Sequence, residues 1–175
     1  MPPSGEAPPV GDVAIPGTGP DVYIGGGLTK VPVGQGWTLV ARGNLPSDPG
    51  GYSESAVLSN DQAGVTLGVY LLAGGTEPGQ VVARADAAVR AWARDGGDLR
   101  FSEAASVTPP GGIAAEAVVR YAYVRGAAAE GVVLVAVRPD GLTLMVTVEA
   151  AQGSLDASRD TWAPLRDAIV ADFGS

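Results

Sequence analysis

Residues 113–149 read IAAEAVVRYAYVRGAAAEGVVLVAVRPDGLTLMVTVE, and this stretch decides the fold of the chain. The odd positions from Ile113 to Tyr123 are apolar or aromatic, whereas Glu116 and Arg120 fall on even positions. A period of two places successive side chains on opposite faces of a β-strand. The pattern therefore predicts a strand with one face on a core and the other face partly in water.

The rest of this stretch predicts two more strands. Residues 132–137 are apolar at both parities, which is typical of a strand covered on both faces in the middle of a sheet. The turn Pro139-Asp140-Gly141 follows, and from Leu142 to Glu149 the apolar even positions alternate with a more polar set. With a looser hairpin at 126–130, the three segments predict an antiparallel meander.

Two helices are predicted, one on each side of the meander in the chain. Residues 77–95, with Thr76 as the N-cap, carry an apolar stripe at 3.6-residue spacing that ends at Trp92. Residues 154–173 carry a second stripe, and Pro164 within it predicts a kink or a division of the helix. We expect the tryptophan of each stripe to be a core residue, because that is the usual place of tryptophan on an apolar helix face.

The domain organisation follows from composition. Residues 1–20 are rich in proline and glycine and predict a flexible linker, so residues 21–175 form a single domain. Further short strands are predicted at 21–24, 28–33, 37–41, 54–59, 64–72 and 99–107. The expected fold class is α+β, with a twisted, mainly antiparallel sheet of about six to seven strands flanked by two or three helices.

The amino-acid composition excludes several kinds of catalytic and metal-binding site. The chain has no histidine and no cysteine, so the usual base of a serine triad and the preferred ligands of zinc are missing. We predict no catalytic residues, no metal site and no cofactor. The net charge of -8 argues against nucleic acid as a partner, because such binding depends on clustered positive charge. A hydrolase that uses carboxylates such as Asp48 and Glu54 is retained as the least favoured alternative.

The layout resembles a known superfamily. A strand ending in Val31-Pro32 leads through glycines to Gly36-Trp37, and Gly112-Ile113-Ala114-Ala115 later opens the strand that carries Tyr121 and Tyr123. This order of elements is similar to the PsbP-like α/β/α sandwich. Among its actinobacterial envelope members the chain resembles the LpqN-type lipoproteins and the trehalose monomycolate transport factor TtfA. Two departures are the lengthened Pro32–Trp37 segment and the missing lipobox cysteine.

The resemblance implies a function in binding or assembly. We expect a non-enzymatic adaptor domain of the cell envelope, an accessory factor in the transport of mycolic-acid glycolipids, whose partner is a membrane transport or secretion protein. The partner-binding residues are expected in the long loop around 43–53, at Asn44, Asp48, Tyr52 and Glu54. The alternative is a carrier or sensor of a lipid or other apolar ligand, held near Trp92 or Trp162.

The location of the protein has two interpretations. No apolar run approaches the roughly 20 residues that span a bilayer, and residues 1–20 lack the apolar region of a signal peptide. The proline-rich start is typical of a tether, so we expect a membrane anchor in a segment that precedes this sequence. A cytoplasmic protein is the alternative.

Overall fold

The computed structural model of the chain describes residues 21–34, 36–43, 52–92 and 96–175. Within these ranges the chain forms ten strands and two α-helices. In chain order they are β1 (Val22–Ile24), β2 (Thr29–Val31), β3 (Thr38–Gly43), β4 (Tyr52–Asn60), β5 (Val65–Leu72), α1 (Val81–Trp92), β6 (Gly97–Phe101), β7 (Ala105–Val107), β8 (Ala115–Arg125), β9 (Ala127–Val137), β10 (Thr143–Ala151) and α2 (Arg159–Phe173).

Eight of the strands form one sheet in the order β3-β4-β5-β10-β9-β8-β6, with β7 also paired to β8. Every pairing in this sheet is antiparallel. The predicted meander is confirmed, because β9 lies between β8 and β10 with Val133 opposite both Val119 and Thr147. The α+β class is confirmed too, with eight strands in the main sheet against the six to seven expected.

The two faces of the sheet are covered by different helices. On one face α1 packs its buried residues Val81, Ala85 and Val89 onto a layer that includes Val119 and Val133. On the other face α2 and the β1–β2 hairpin form a second layer. β9 is buried at successive residues from 131 to 137 because its alternate side chains enter these two layers.

The β1–β2 hairpin is fastened to α2 by hydrogen bonds. The Thr29 hydroxyl donates to the carbonyl of Ile169 at 3.2 Å, and the Lys30 amide donates to the Asp172 carboxylate at 2.5 Å. β1 and β2 therefore extend the layer formed by α2 instead of adding strands to the main sheet.

Both helices are shorter than their sequence patterns predict. α1 begins only at Val81, after a 3-10 turn at Pro78–Gln80 whose N-cap is Glu77, so the expected cap at Thr76 is wrong. Residues 93–95, the end of that predicted helix, lie outside the described part of the chain. Turns occupy residues 155–158 before α2, and α2 then runs on through Pro164, so the expected division is not observed.

The strand predicted at 99–107 is two strands. β6 ends at Phe101 and β7 starts at Ala105, and both pair with β8. The break follows from a side-chain contact, since the Ser102 hydroxyl accepts the Arg120 amide at 3.0 Å while the Ser102 amide donates to the Arg120 carbonyl at 2.8 Å. A serine hydroxyl thus takes the place of a ladder carbonyl.

Both outer strands of the main sheet are irregular. The β3–β4 pairing shifts register between Leu39 and Ala41, and the β6–β8 pairing shifts between Gly97 and Arg100, where Asp98 has a positive φ of 50°. Bulges of this kind disfavour the addition of another strand to a sheet edge. The fold therefore leaves its faces, more than its edges, for recognition.

Candidate binding groove

α2 covers only part of its face of the sheet. It packs on β2, β5 and β10, and the side chains of β8 that point to the same face lie beyond it. These are the even positions of β8, of which Val118 and Ala122 are half-buried and Arg120 and Val124 are exposed. The sheet is therefore open to solvent along β8.

A shallow hollow of about 260 Å³ lies on this open part of the sheet. Three strands and the turn before α2 supply its walls. We call it the β8 groove and define it by Arg100, Ser102, Arg120, Ala122, Glu130 and Leu155.

Two arginines meet at the groove. Arg100 lies opposite Ala122 in the β6–β8 pairing, so its side chain points to the same face as that of Arg120. Arg100 forms no ion pair with any carboxylate of the described residues. Arg120 bonds both carboxylate oxygens of Asp156, at 2.7 and 3.2 Å.

The Arg120–Asp156 pair is exposed. Its hydrogen bonds and charge lower the pKa of Asp156, with a further contribution from Arg159, and the same hydrogen bond raises the pKa of Arg120. Half of the Arg120 side chain and 69% of the Asp156 side chain remain accessible to solvent. Exposed ion pairs contribute little to stability, so another anion can replace Asp156 at small cost.

Glu130 binds the turn before α2 that forms one wall of the groove. Its Oε1 accepts the amide of Leu155 at 2.9 Å, and Leu155 itself is buried. The indole nitrogen of Trp162 donates to the carbonyl of Leu155 at 2.9 Å, which ties the same turn to α2. The groove is therefore built on a fixed turn.

A buried carboxylate lies further along the same face of β8. Glu116 is only 8% exposed, and its Oε2 has no hydrogen-bond partner among the described residues. Burial raises the pKa of Glu116, while the charge of Arg166 opposes the rise and that of Asp167 adds to it. Arg166 itself donates two hydrogen bonds to Asp167, at 2.8 and 2.9 Å.

The opposite face of β8 carries a second polar cluster. The hydroxyls of Tyr121 and Tyr123 each donate to the carboxylate of Glu149 at 2.8 Å. Burial and this hydrogen bond raise the pKa of Tyr123 to about 12. The cluster lies under the α1 layer, so its hydrogen bonds are part of the packed core and not of a binding site.

The predicted partner-binding residues lie at the β3–β4 connection. Asn44 and Asp48 fall outside the described residues, and of Tyr52 only the backbone, at the start of β4, is described. Glu54 is half-buried, accepts the amide of Gly25 and lies 3.6 Å from Arg42. The visible contacts of Glu54 join β1, β3 and β4 and are structural.

The two candidate ligand-contacting tryptophans differ. Trp162 is 2% exposed and belongs to the core under α2, as the simpler prediction had it. Trp92 is the last residue of α1, and its side chain lies outside the described part of the structure. A ligand at Trp162 would first have to displace core side chains.

The described residues provide neither a cluster of metal ligands nor a helix that could cross a membrane. No group of three or more acidic side chains in this part of the chain is placed to hold a metal ion. In the same residues, no helix has the length and apolar character needed to cross a bilayer.

Sequence reasoning did not identify the groove. The sequence feature that pointed to the groove was the pair of charged residues at even positions of β8, Glu116 and Arg120. The alternating pattern alone indicates only that these residues face solvent. Arg100 carried no signal, because its place beside Arg120 depends on the shifted β6–β8 register.

The comparisons with known proteins identify the fold. No protein-family model matches the chain, and no curated protein matches its sequence. The solution structure of cyanobacterial PsbP (CyanoP) from Synechocystis matches with a TM-score of 0.57 and 11% identity, over 89% of this chain and 95% of that one. The Ran-binding protein Mog1p of Saccharomyces cerevisiae matches with a TM-score of 0.52 and 13% identity, over 88% and 89%.

These matches confirm the PsbP-like fold, and at such identities they show the fold alone. LpqN of Mycobacterium tuberculosis, a protein involved in cell envelope biogenesis, aligns with 16% identity over 86% of each chain. Its TM-score of 0.43 is too low to support an inference. The finer resemblance to TtfA stays a prediction.

Proposed function

We propose that the chain is a non-enzymatic adaptor domain that binds a protein partner through the β8 groove. The observation that carries this proposal is the open part of the sheet face along β8, where one hollow holds an exchangeable ion pair and an arginine that pairs with no carboxylate of the described residues. Side chains carried by the strands of a rigid sheet are held in more precise positions than those on loops, which suits recognition.

The packing of the molecule supports this choice of surface. The bulged outer strands disfavour edge-to-edge pairing, as described above. The interface between the sheet and α2 is filled by Trp162, Ile169 and Phe173, each no more than 2% exposed. A carrier of lipids would need space in that interface, whereas an adaptor needs only an accessible surface.

The partner would contact more than the groove itself. A stable protein interface buries about 800 Å² on each side, which is more surface than so small a hollow can provide. Two exposed apolar side chains on the same face, Val124 of β8 and Val107 of the neighbouring β7, extend the surface. The loop with Asn44, Asp48 and Tyr52 is a second proposed contact, and binding that survives Tyr52→Ala in a shortened loop would remove it.

The biological setting is a further part of the proposal. We propose a membrane-anchored protein of the cell envelope that assists a transport or secretion protein in moving a mycolic-acid glycolipid such as trehalose monomycolate. The support is the sequence resemblance and the proline- and glycine-rich composition of residues 1–20, which suits a tether.

The test is affinity isolation of the protein from the cells that make it, with bound proteins and bound lipids both identified by mass spectrometry. Wild type is compared with Arg100→Glu, and Arg138→Glu serves as the charge-matched control. We expect a stoichiometric membrane protein that is lost with Arg100→Glu and retained with Arg138→Glu. Bound lipid without a protein partner would favour the carrier instead.

A further inference from the structure

The β8 groove is a local exception in an acidic protein. The chain has 19 acidic and 11 basic residues, yet three arginines, Arg100, Arg120 and Arg159, lie at or beside this one hollow. Two carboxylates oppose them, Glu130 and Asp156. The residues that line the hollow itself therefore include two arginines, Arg100 and Arg120, and one carboxylate, Glu130, although the chain as a whole is negative.

We infer that the β8 groove binds a short acidic segment of the partner protein, through the guanidinium groups of Arg100 and Arg120. This inference rests on the proposed function, because it names the partner chemistry of the same surface. Arginine donates hydrogen bonds in a planar fork that matches a carboxylate. Two such forks on neighbouring strands can hold two acidic side chains, or one side chain and a carboxyl terminus.

The contacts of Arg120 make the exchange feasible. Asp156 is held only by an exposed ion pair, and an incoming carboxylate would replace it on the same guanidinium. Released Asp156 would remain solvated next to Arg159, whose charge already favours its ionised form. Arg100 has no carboxylate partner among the described residues.

Glu130 limits what the groove accepts. Its Oε1 is already used by the amide of Leu155, so its negative charge is partly satisfied within the wall. The remaining carboxylate oxygen can accept a backbone amide of an extended peptide. A peptide that pairs its carboxylates with the arginines and donates one amide to Glu130 would meet all of these groups.

A protein segment fits this site better than an anionic membrane. A net charge of -8 repels a surface of anionic headgroups, whose attraction depends on several basic residues close together. A short peptide brings only a few charges to a local site. A hollow of about 260 Å³ also has room for side chains but not for an acyl chain.

The test is fluorescence anisotropy of a labelled hexaglutamate peptide with the 175-residue chain. We expect binding that weakens as salt rises, because both arginines are exposed and salt weakens ion pairs that form at a solvated surface. Arg100→Gln and Arg120→Gln should each lower the affinity about tenfold, which corresponds to one good charge-assisted contact. Arg100→Lys should restore part of the loss.

Arg138→Gln is the matched control, because Arg138 also pairs with an exposed aspartate, Asp140, at 3.1 Å. It lies at the other end of β9 from Glu130, roughly 26 Å away along the strand. Thermal melts of each variant would show that the fold is retained.

Three results would overturn the inference: no binding of hexaglutamate, an equal loss with Arg138→Gln, or arginine-dependent binding of phosphatidylglycerol vesicles in its place. A cellular partner that cross-links at Val124 while hexaglutamate fails to bind would leave the adaptor function standing and remove only the acidic segment. Absence of any such partner would remove the adaptor function itself.

Discussion

The hydroxyl of Tyr121 on β8 donates a 2.8 Å hydrogen bond to Glu149 on β10, across the intervening strand β9. Gly131 of β9 makes this possible, because a Cβ there would lie 2.4 Å from the Tyr121 hydroxyl. Tyr123 bonds the other carboxylate oxygen of Glu149 and stacks on Tyr121 at 5.8 Å. A glycine of β9 thus lets two tyrosines of β8 bond a carboxylate of β10, which ties the strand of the groove to the middle of the sheet.

We expect Glu149→Gln to lower the free energy of unfolding by about 2 kcal/mol, because hydrogen bonds to a charged group contribute about 1.5 to 3 kcal/mol. Urea denaturation measures the change. Glu103→Gln is the control, since Glu103 is exposed. Equal stability of the two variants would mean that the tyrosine bonds do not stabilise the sheet.

We expect Gly131→Ala to lower the free energy of unfolding by about 1 to 3 kcal/mol, the usual cost of forcing an added carbon into a packed site. The new Cβ would also lie 2.5 Å from the Val148 carbonyl, which cannot move without disturbing β10. Gly79→Ala is the matched control, because a Cβ at Gly79 meets nothing within 4 Å. A tolerated Gly131→Ala would contradict the close approach of the Tyr121 ring.

The raised pKa of Tyr123 predicts a loss of stability in alkaline solution. The folded state favours the neutral phenol, so the contribution is fully present below the ordinary tyrosine pKa of about 10 and is lost as pH rises through about 12. Ultraviolet titration should show tyrosine ionisation that occurs later than in the unfolded chain, and Tyr123→Phe should reduce the amplitude of this late step. Tyr23→Phe, at an exposed position, should leave the late step in place.

The raised pKa of Glu116 predicts a loss of stability of the same sign, which occurs at lower pH than that of Tyr123. Since burial raises its pKa, the ionised form that exists above this pKa destabilises the fold, and stability is greatest below the unfolded value of about 4.3. We expect Glu116→Gln to raise the free energy of unfolding at pH 7 by about 1 kcal/mol. The gain should disappear near pH 4, and a gain that is independent of pH would contradict this origin.

Local patterns predict the core of this fold well. Residues 132–137 predict a strand covered on both faces, because both the odd and the even positions are apolar. β9 contains these residues, and all of them are buried. The strand at 99–107 was not predictable as two, since the break depends on Ser102 meeting Arg120, which lies 18 residues later in the chain. Thr76 failed as a cap for a similar reason, because Pro78–Gln80 forms a 3-10 turn before α1 starts.

The groove could not be predicted from the sequence, because it depends on how α2 packs on the sheet. Whether an even position of β8 is solvated or covered depends on where α2 lies, and α2 packs toward β2, β5 and β10. The apolar stripe of α2 predicts that the helix is buried but not on which strands. The opening over Arg120 and Val124 is therefore a tertiary property.

The most direct test of the account is photo-cross-linking in the native cells from two matched valines. Val124 lies on the groove face of β8 and is 42% exposed, while Val82 lies on α1 on the opposite face and is 37% exposed. A photoreactive phenylalanine at Val124 should capture one discrete protein, and the same residue at Val82 should not. No product at Val124, or the same products from both sites, would contradict the proposal that this chain binds a partner through the β8 groove.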